Sequence, residues 1–203
     1  MNQPSVYSYS QIIDAAFDLI REKGWMGITT RAIANKIGCS TMPIYSHVNS
    51  VDELEKALRQ KARELLKEFQ QHRYTEHVLL NLAFGYVVFA RDEKNLFRFL
   101  YLEKPDQVDL EDVAEMKEKI SKEFRENRDE VKAFEELNNS GQEALIQYTW
   151  IFTHGLAMLV NSGVLKAYSD EKILGFLMGA GEAFYLWGIQ REGREDEKGY
   201  DKK

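Results

Sequence analysis

The chain has 203 residues, enough for one large domain or two small ones, and 44% of them are hydrophobic, enough to bury a core. A formal net charge of −6 argues against a protein that coats nucleic acid non-specifically through bulk positive charge. A single cysteine, Cys39, excludes an intrachain disulfide, and with only three prolines (Pro4, Pro43 and Pro105) and apolar residues recurring every three to four positions the chain reads as all-α.

Helix 1 is expected from a cap at Ser10 to about Lys23, with Ile13, Ala16, Phe17 and Ile20 as its apolar stripe and Gly24 closing it. Helix 2 follows the cap candidate Thr29; Ala32, Ile33 and Ile37 face inward and Gly38 ends it. Helix 3 is expected to be capped by Ser40 and to run to about His47, with Pro43 in its first turn, where a missing N–H is tolerated. Ile44 and Val48 point to the core. A short helix, a glycine turn and a second short helix with small polar groups form a helix-turn-helix, a device that places one helix in the DNA major groove. Through residue 50 the charges are Arg21, Lys23, Arg31 and Lys36 against Asp14, Asp18 and Glu22, so the acidity lies further on. A neutral-to-basic head on an acidic body suits a protein that touches DNA with its head alone.

Helix 4 begins with a capping box, Ser50 to Glu53, and continues through Leu54, Leu58, Ala62, Leu65 and Phe69 to about residue 71. Further helices are expected at roughly 76–91, 94–102, 109–137, 141–162 and 170–191, with a loop at Lys104 to Asp106, a stop at Gly163, a cap at Ser169 and a charged tail that frays from Glu192. The apolar run Ile173 to Ile189 carries Glu182 and is marginal against the roughly 20 residues of a membrane span, so it reads as a helix at a subunit interface and no membrane partner is expected. The first residues lack a basic start followed by an apolar run, which sets a reducing cytoplasm as the expected compartment.

The early residues closely resemble the TetR family of transcriptional regulators. The pattern is Ile12, Ala15, Ala16, Leu19, Gly24, Trp25, Thr29, Thr30, Ile33, Ala34, Gly38, Ser40, Ile44, Tyr45, His47, Val48 and the Asp52-Glu53-Leu54 start of helix 4, over roughly residues 10–55. A second, looser resemblance is to the subfamily with a WHG-type C-terminal domain, carried by Trp150, His154 and Gly155. The resemblance implies an N-terminal three-helix DNA-binding domain, residues 1–50, and a larger helical ligand-binding and dimerisation domain, residues 51–203, joined by helix 4. It implies a ligand-responsive regulator, a repressor by family habit, that leaves a palindromic double-stranded operator when a small apolar or aromatic effector binds.

Thr30 and Arg31 open helix 2, where free N–H groups favour a phosphate, and Arg31 can also reach a base edge. Thr41 can hydrogen-bond a base, while Met42 or Pro43 can pack on a thymine methyl. Tyr45, Ser46 and His47 follow; the family places phosphate contacts at positions like Tyr45 and His47, with half-buried core as the alternative for Tyr45. Lys36 is either a backbone contact or a solvated charge. Family members often carry Lys just before the acidic start of helix 4; here the residue is Val51, and no Lys or Arg precedes helix 1. A modest salt dependence of DNA binding follows.

A two-fold dimer reads a palindrome. Gly175, Phe176, Gly179, Ala183 and Leu186 are the candidate interface, because glycine inside a helix costs about 1 kcal/mol relative to alanine and ordinary core does not explain it. The resemblance implies that the last two helices pair with their mates as a four-helix bundle. It also places a mostly apolar effector pocket in the aromatic-rich middle helices. Trp150, His154 and Met158 would line one wall, with Phe89, Phe97, Met116 and Ile120 opposite; most aromatics there are otherwise core. His154 is open between a satisfied core histidine, a ligand anchor and, least favoured, a metal ligand. No cofactor or metal is expected, since the histidines and the cysteine lack ligand spacing. No nucleophile elbow, phosphate loop or metal cluster suggests an enzyme. The alternative is a DNA-binding adaptor that answers to a protein partner and has no pocket.

Overall fold

The computed structural model describes residues 7–103, 118, 122 and 134–199, with the side chains of 191–199 left aside. The described residues are all-helical: α1 Tyr9–Lys23, a 3-10 turn Trp25–Gly27, α2 Thr30–Ile37, α3 Met42–His47, α4 Val51–Gln71, α5 Val78–Asp92, α6 Lys94–Tyr101, α7 Asn139–Asn161 and α8 Asp170–Gly199. Met116, Ile120, the loop at Lys104 and most of the helix expected over 109–137 lie outside the described residues. No described helix is long and apolar enough to cross a membrane.

Two compact units emerge. The first comprises Met1–Glu68 with Asp92–Val108, the second Phe69–Arg91 with Asp109–Lys203.

In the first unit the local signals act largely as read. Thr29 Oγ1 accepts from the Ala32 N–H at 3.0 Å. Gly24 and Gly38 close their helices with φ of 77° and 81°, a region that glycine enters without a Cβ penalty. Helix α1 starts earlier than expected. Ser8, not Ser10, is its cap, because Gln11 three residues on reaches back to the Ser8 N–H at 2.8 Å and completes a reciprocal box. At α4 the Ser50 hydroxyl accepts from the Glu53 N–H at 3.0 Å, but the Glu53 carboxylate binds the N–H of Asn49 at 3.1 Å, one residue before the cap. The core gathers Ile12, Ile20, Ile33, Leu58, Leu96, Phe97 and Phe99, all essentially inaccessible. Trp25 packs on Phe99 with ring centroids 5.1 Å apart. Arg59 is buried beside Glu55 at 3.0 Å, donates to the Leu100 carbonyl at 3.1 Å and lies over the Phe99 ring, so its charge is both paired and hydrogen-bonded.

The second unit is built on α5, α7 and α8. Gly85 marks a close approach: a Cβ there would lie 2.2 Å from the Phe69 carbonyl oxygen. Asn161 is buried and donates to the Ala90 carbonyl at 2.9 Å, tying α7 to the end of α5. Asn81 and Thr75 exchange hydrogen bonds that fold the preceding loop onto α5, which therefore starts at Val78 rather than near 76. Asn138 caps α7 through the Gly141 N–H at 2.9 Å, two residues ahead of the expected start. Helix α8 runs on to Gly199 instead of stopping near 191, as its Glu, Lys and Arg residues favour helix. Tyr148 and Phe152 of α7 meet Phe184 and Trp187 of α8 at ring distances of 5.2 to 6.2 Å.

Candidate nucleic-acid interface and buried cavity

Helices α2 and α3 form the two arms of the motif. The Gly38 and Cys39 N–H groups both donate to the Ala34 carbonyl at 2.9 Å, so the turn leaves α2 sharply. Ile33, Ala34 and Ile44 are buried and fix the two helices by their inner faces. What remains outward is the set of residues expected to meet DNA. Arg31 is exposed at the head of α2 beside half-buried Thr30, where the first N–H groups of a helix lack intrahelical partners. On α3, Met42 is 74% exposed and Tyr45 66% exposed, on a helix six residues long. Exposed phenol excludes the half-buried core alternative for Tyr45.

Ser46 is exposed and its hydroxyl donates to the Pro43 carbonyl at 2.8 Å; Pro43 and His47 are half-buried. Ser40 is not the cap of α3. Thr41 holds that position in helical geometry and makes no side-chain cap bond; the Ile44 N–H, three residues on, donates to the Thr41 carbonyl at 3.1 Å instead. The Lys36 ammonium is paired with Glu22 at 2.5 Å, so any phosphate must compete with that carboxylate. Val51 is exposed at the first position of α4. Cys39 is half-buried in the turn.

The second unit holds a half-open cavity of about 450 Å³, in the range of small-molecule sites. Its walls come from α5 (Leu79, Leu82, Ala83, Tyr86), α7 (Leu145, Ile146, Thr149, Trp150, Phe152, Thr153, His154) and α8 (Leu177, Met178, Gly181, Glu182, Tyr185), with Gln70, His77 and Phe134. Trp150 and His154 thus line one wall together, their rings stacked with centroids 5.8 Å apart. Met158, one turn further along α7, does not line the cavity, and neither do Phe89 and Phe97. Phe89 is fully buried and its ring sits edge-on to Phe69; Phe97 belongs to the core of the first unit, against Tyr101.

Tyr86 of α5 adjoins this wall directly, its hydroxyl 2.9 Å from His154 Nδ1. Burial holds the His154 imidazole below its ordinary pKa, so the neutral ring is favoured. Tyr86, Thr149 and Thr153 escaped the sequence reading. The threonines were legible in principle: Thr149 and Thr153 are four apart and adjoin Trp150 and His154 on the same helix. The described residues contain no group of His, Cys, Asp and Glu able to hold a metal.

Helix α8 presents a separate feature. Gly175, Phe176, Gly179, Ala183 and Leu186 are all exposed, Leu186 by 57%. A Cβ at Gly175 or Gly179 would meet nothing within 4 Å. Exposed Ile151, Gly155 and Leu159 repeat every four residues on α7.

No family model matches the chain. An uncharacterised HTH-type transcriptional regulator of Mycobacterium tuberculosis is 30% identical over 57 residues, which is 28% of this chain and 26% of that protein's length. Among solved structures, a TetR-like transcriptional regulator from Rhodococcus sp. RHA1 superposes with a TM-score of 0.59 at 18% identity, covering 89% of this chain and 96% of the other. The all-helical arrangement of this chain is therefore the fold of a TetR-like regulator.

Proposed function

We propose that this chain, with the fold of a TetR-like regulator, is a sequence-specific DNA-binding transcriptional regulator, a homodimeric cytoplasmic repressor released from a palindromic operator by a small effector. Residues 1–50 read DNA; residues 51–203 bind the effector and dimerise, and α4 joins the two. One observation carries the reading: α3 buries Ile44 and leaves Met42 and Tyr45 largely exposed, beside exposed Arg31. A six-residue helix that turns two large side chains outward next to an exposed arginine offers the kind of face a recognition helix sets against the major groove. Thr30, Arg31, Thr41, Met42, Pro43, Tyr45, Ser46 and His47 form this face, and Lys36 joins it when Glu22 releases it.

The cavity supports a small-molecule effector over the adaptor that answers to a protein partner, since that alternative needs solid core where a cavity of about 450 Å³ lies. The bare glycines of α8 support dimerisation through that helix. The switch is linkage: an effector that prefers the conformation misfitting the groove weakens operator binding by the factor that operator weakens effector binding. The test is selection of bound sequences from random duplex DNA, followed by affinity measurement on the selected site. A palindrome bound at least 10³-fold more tightly than random DNA is expected. No enrichment, or equal binding by the Met42→Ala/Tyr45→Ala double variant, refutes the reading.

A further inference from the structure

We propose that Gly181 of α8 sets how bulky a ligand the cavity accepts, because the ligand's apolar body packs there directly on helix backbone. The inference deepens the effector reading above and rests on it. Between Asp170 and Gln190, α8 carries four glycines. Glycine inside a helix is unfavourable relative to alanine, so each asks for a reason. Gly188 has one within the chain: a Cβ there would lie 3.1 Å from Leu137 Cδ2. Gly175 and Gly179 lie on the exposed face assigned above to the second copy. Gly181 has neither reason. It follows Gly179 by two residues, about 200° round the helix, and so lies on the other side of α8. A Cβ built on it meets nothing within 4 Å, and its φ is not positive.

What Gly181 does border is the cavity. Leu177 and Tyr185, one helical turn to either side, line it too. The missing side chain therefore leaves a notch between two large ones. Atoms around an unfilled notch lack contacts on one side, and a ligand that fills it restores them. Bare glycine backbone also admits a closer approach than any other residue allows.

This selection is by shape. It holds whether or not the ligand carries a charged end, because the cavity is half open and His77 and Glu182 on its lining are exposed. The part of the ligand that Gly181 reads is its apolar body, since the flanking Leu177 and the aromatic ring of Tyr185 offer it mainly carbon surface.

The full-length protein is tested by equilibrium dialysis against four phenols of rising bulk: 4-methylphenol, 4-isopropylphenol, 4-cyclohexylphenol and 4-(1-adamantyl)phenol. Wild type is compared with Gly181→Ala and Gly181→Val; valine has one strongly preferred rotamer in a helix, which fixes its bulk in the notch. The bulkiest phenol that the wild type binds should lose about tenfold or more in Gly181→Val, the scale of overpacking a filled site, and less in Gly181→Ala. 4-Methylphenol should change by less than about threefold, so the best-bound member moves to a smaller phenol. Gly181→Ala should raise the urea midpoint, because its methyl group meets open space and replaces glycine within a helix. A lowered midpoint in Gly181→Ala, unchanged affinities in both variants, or an equal loss for all four phenols overturns the proposal. So does a wild type that binds none of them. If Gly181→Val does not fold, Gly181→Ala decides, by whether the bulkiest phenol loses affinity relative to 4-methylphenol. Operator binding is measured alongside. If the size ranking shifts as expected and no phenol changes operator affinity, the role of Gly181 stands and the effector reading fails. If phenols release the operator and the ranking never shifts, the effector reading stands and the role of Gly181 fails.

Discussion

Gly179→Ala and Gly175→Ala distinguish a dimer helix from a solvent-facing one by the sign of their effect. In the single chain a Cβ at either position meets no atom within 4 Å, and neither glycine has a positive φ. Removing glycine from a helix interior then stabilises the chain by about 1 kcal/mol at each site. If α8 packs against its mate at these positions, the added methyl groups separate the two backbones. Overpacking a close contact costs roughly 1–3 kcal/mol, or about fivefold to 150-fold in dimer dissociation constant. Sedimentation velocity over a dilution series reads the dimer; urea unfolding at several protein concentrations reads chain stability and its coupling to association. The expected result is a weakened dimer, with the gain in chain stability visible only at concentrations where the variant is monomeric. A chain stabilised at every concentration, with its dimer constant unmoved, refutes the assignment of this helix face.

Three further outcomes are expected. Gly85→Ala should destabilise the chain by about 2 kcal/mol or more in urea, because its Cβ would lie 2.2 Å from a backbone oxygen and the propensity gain of about 1 kcal/mol is too small to offset the displacement; a neutral result would mean that α4 and α5 do not approach there. Arg31→Ala should lower the slope of log affinity against log salt by about 0.9 if the guanidinium meets a phosphate; an unchanged slope with lost affinity would assign it to a base edge instead. His154 lies below its ordinary value of 6.5 because it is buried, so protonation favours the unfolded chain. Its contribution to stability is full above 6.5 and is lost as pH falls from there towards the lowered folded value. His154→Gln should flatten that part of the stability profile, and an identical profile in wild type and variant would remove His154 as its cause.

The head of the chain was legible because its signals are local. Thr29, Gly24 and Gly38 each act on backbone within a few residues, so type and spacing suffice to place α2 and end α1. Errors came where two local solutions competed. Ser8 and Ser10 lie one residue either side of the start of α1 at Tyr9, and only Ser8 has a glutamine three residues on. Ser40 and Thr41 both precede α3, and Thr41 is already helical, so its carbonyl rather than a side chain takes the Ile44 N–H. The cavity was harder because an aromatic on a helix becomes wall or filling according to what approaches it. Tyr86 and Phe89 lie one turn apart on α5, yet one lines the cavity and the other is sealed by Phe69. Sequence spacing does not contain Phe69.

The composition of the cavity also bounds how an effector can be chosen. One hydrogen bond from a ligand to the Tyr86–His154 pair contributes about 1 kcal/mol, a factor of about five. Apolar burial contributes about 25 cal/mol per Å², so a ligand hiding some 200 Å² of apolar surface gains about 5 kcal/mol before the entropy of binding is subtracted. Strength therefore comes from the leucine, phenylalanine and tryptophan walls, and the Tyr86–His154 pair supplies orientation and a modest selectivity. A site built this way ranks neutral ligands mainly by how well they fill about 450 Å³ and only then by their polar group. Within a series of phenols the affinity should climb with body size until the cavity is full and then fall, while the effect of Tyr86→Phe stays near one hydrogen bond throughout. If the Tyr86→Phe effect instead grew with ligand size, Tyr86 would be acting on the packing of α5 against α7 rather than on the ligand.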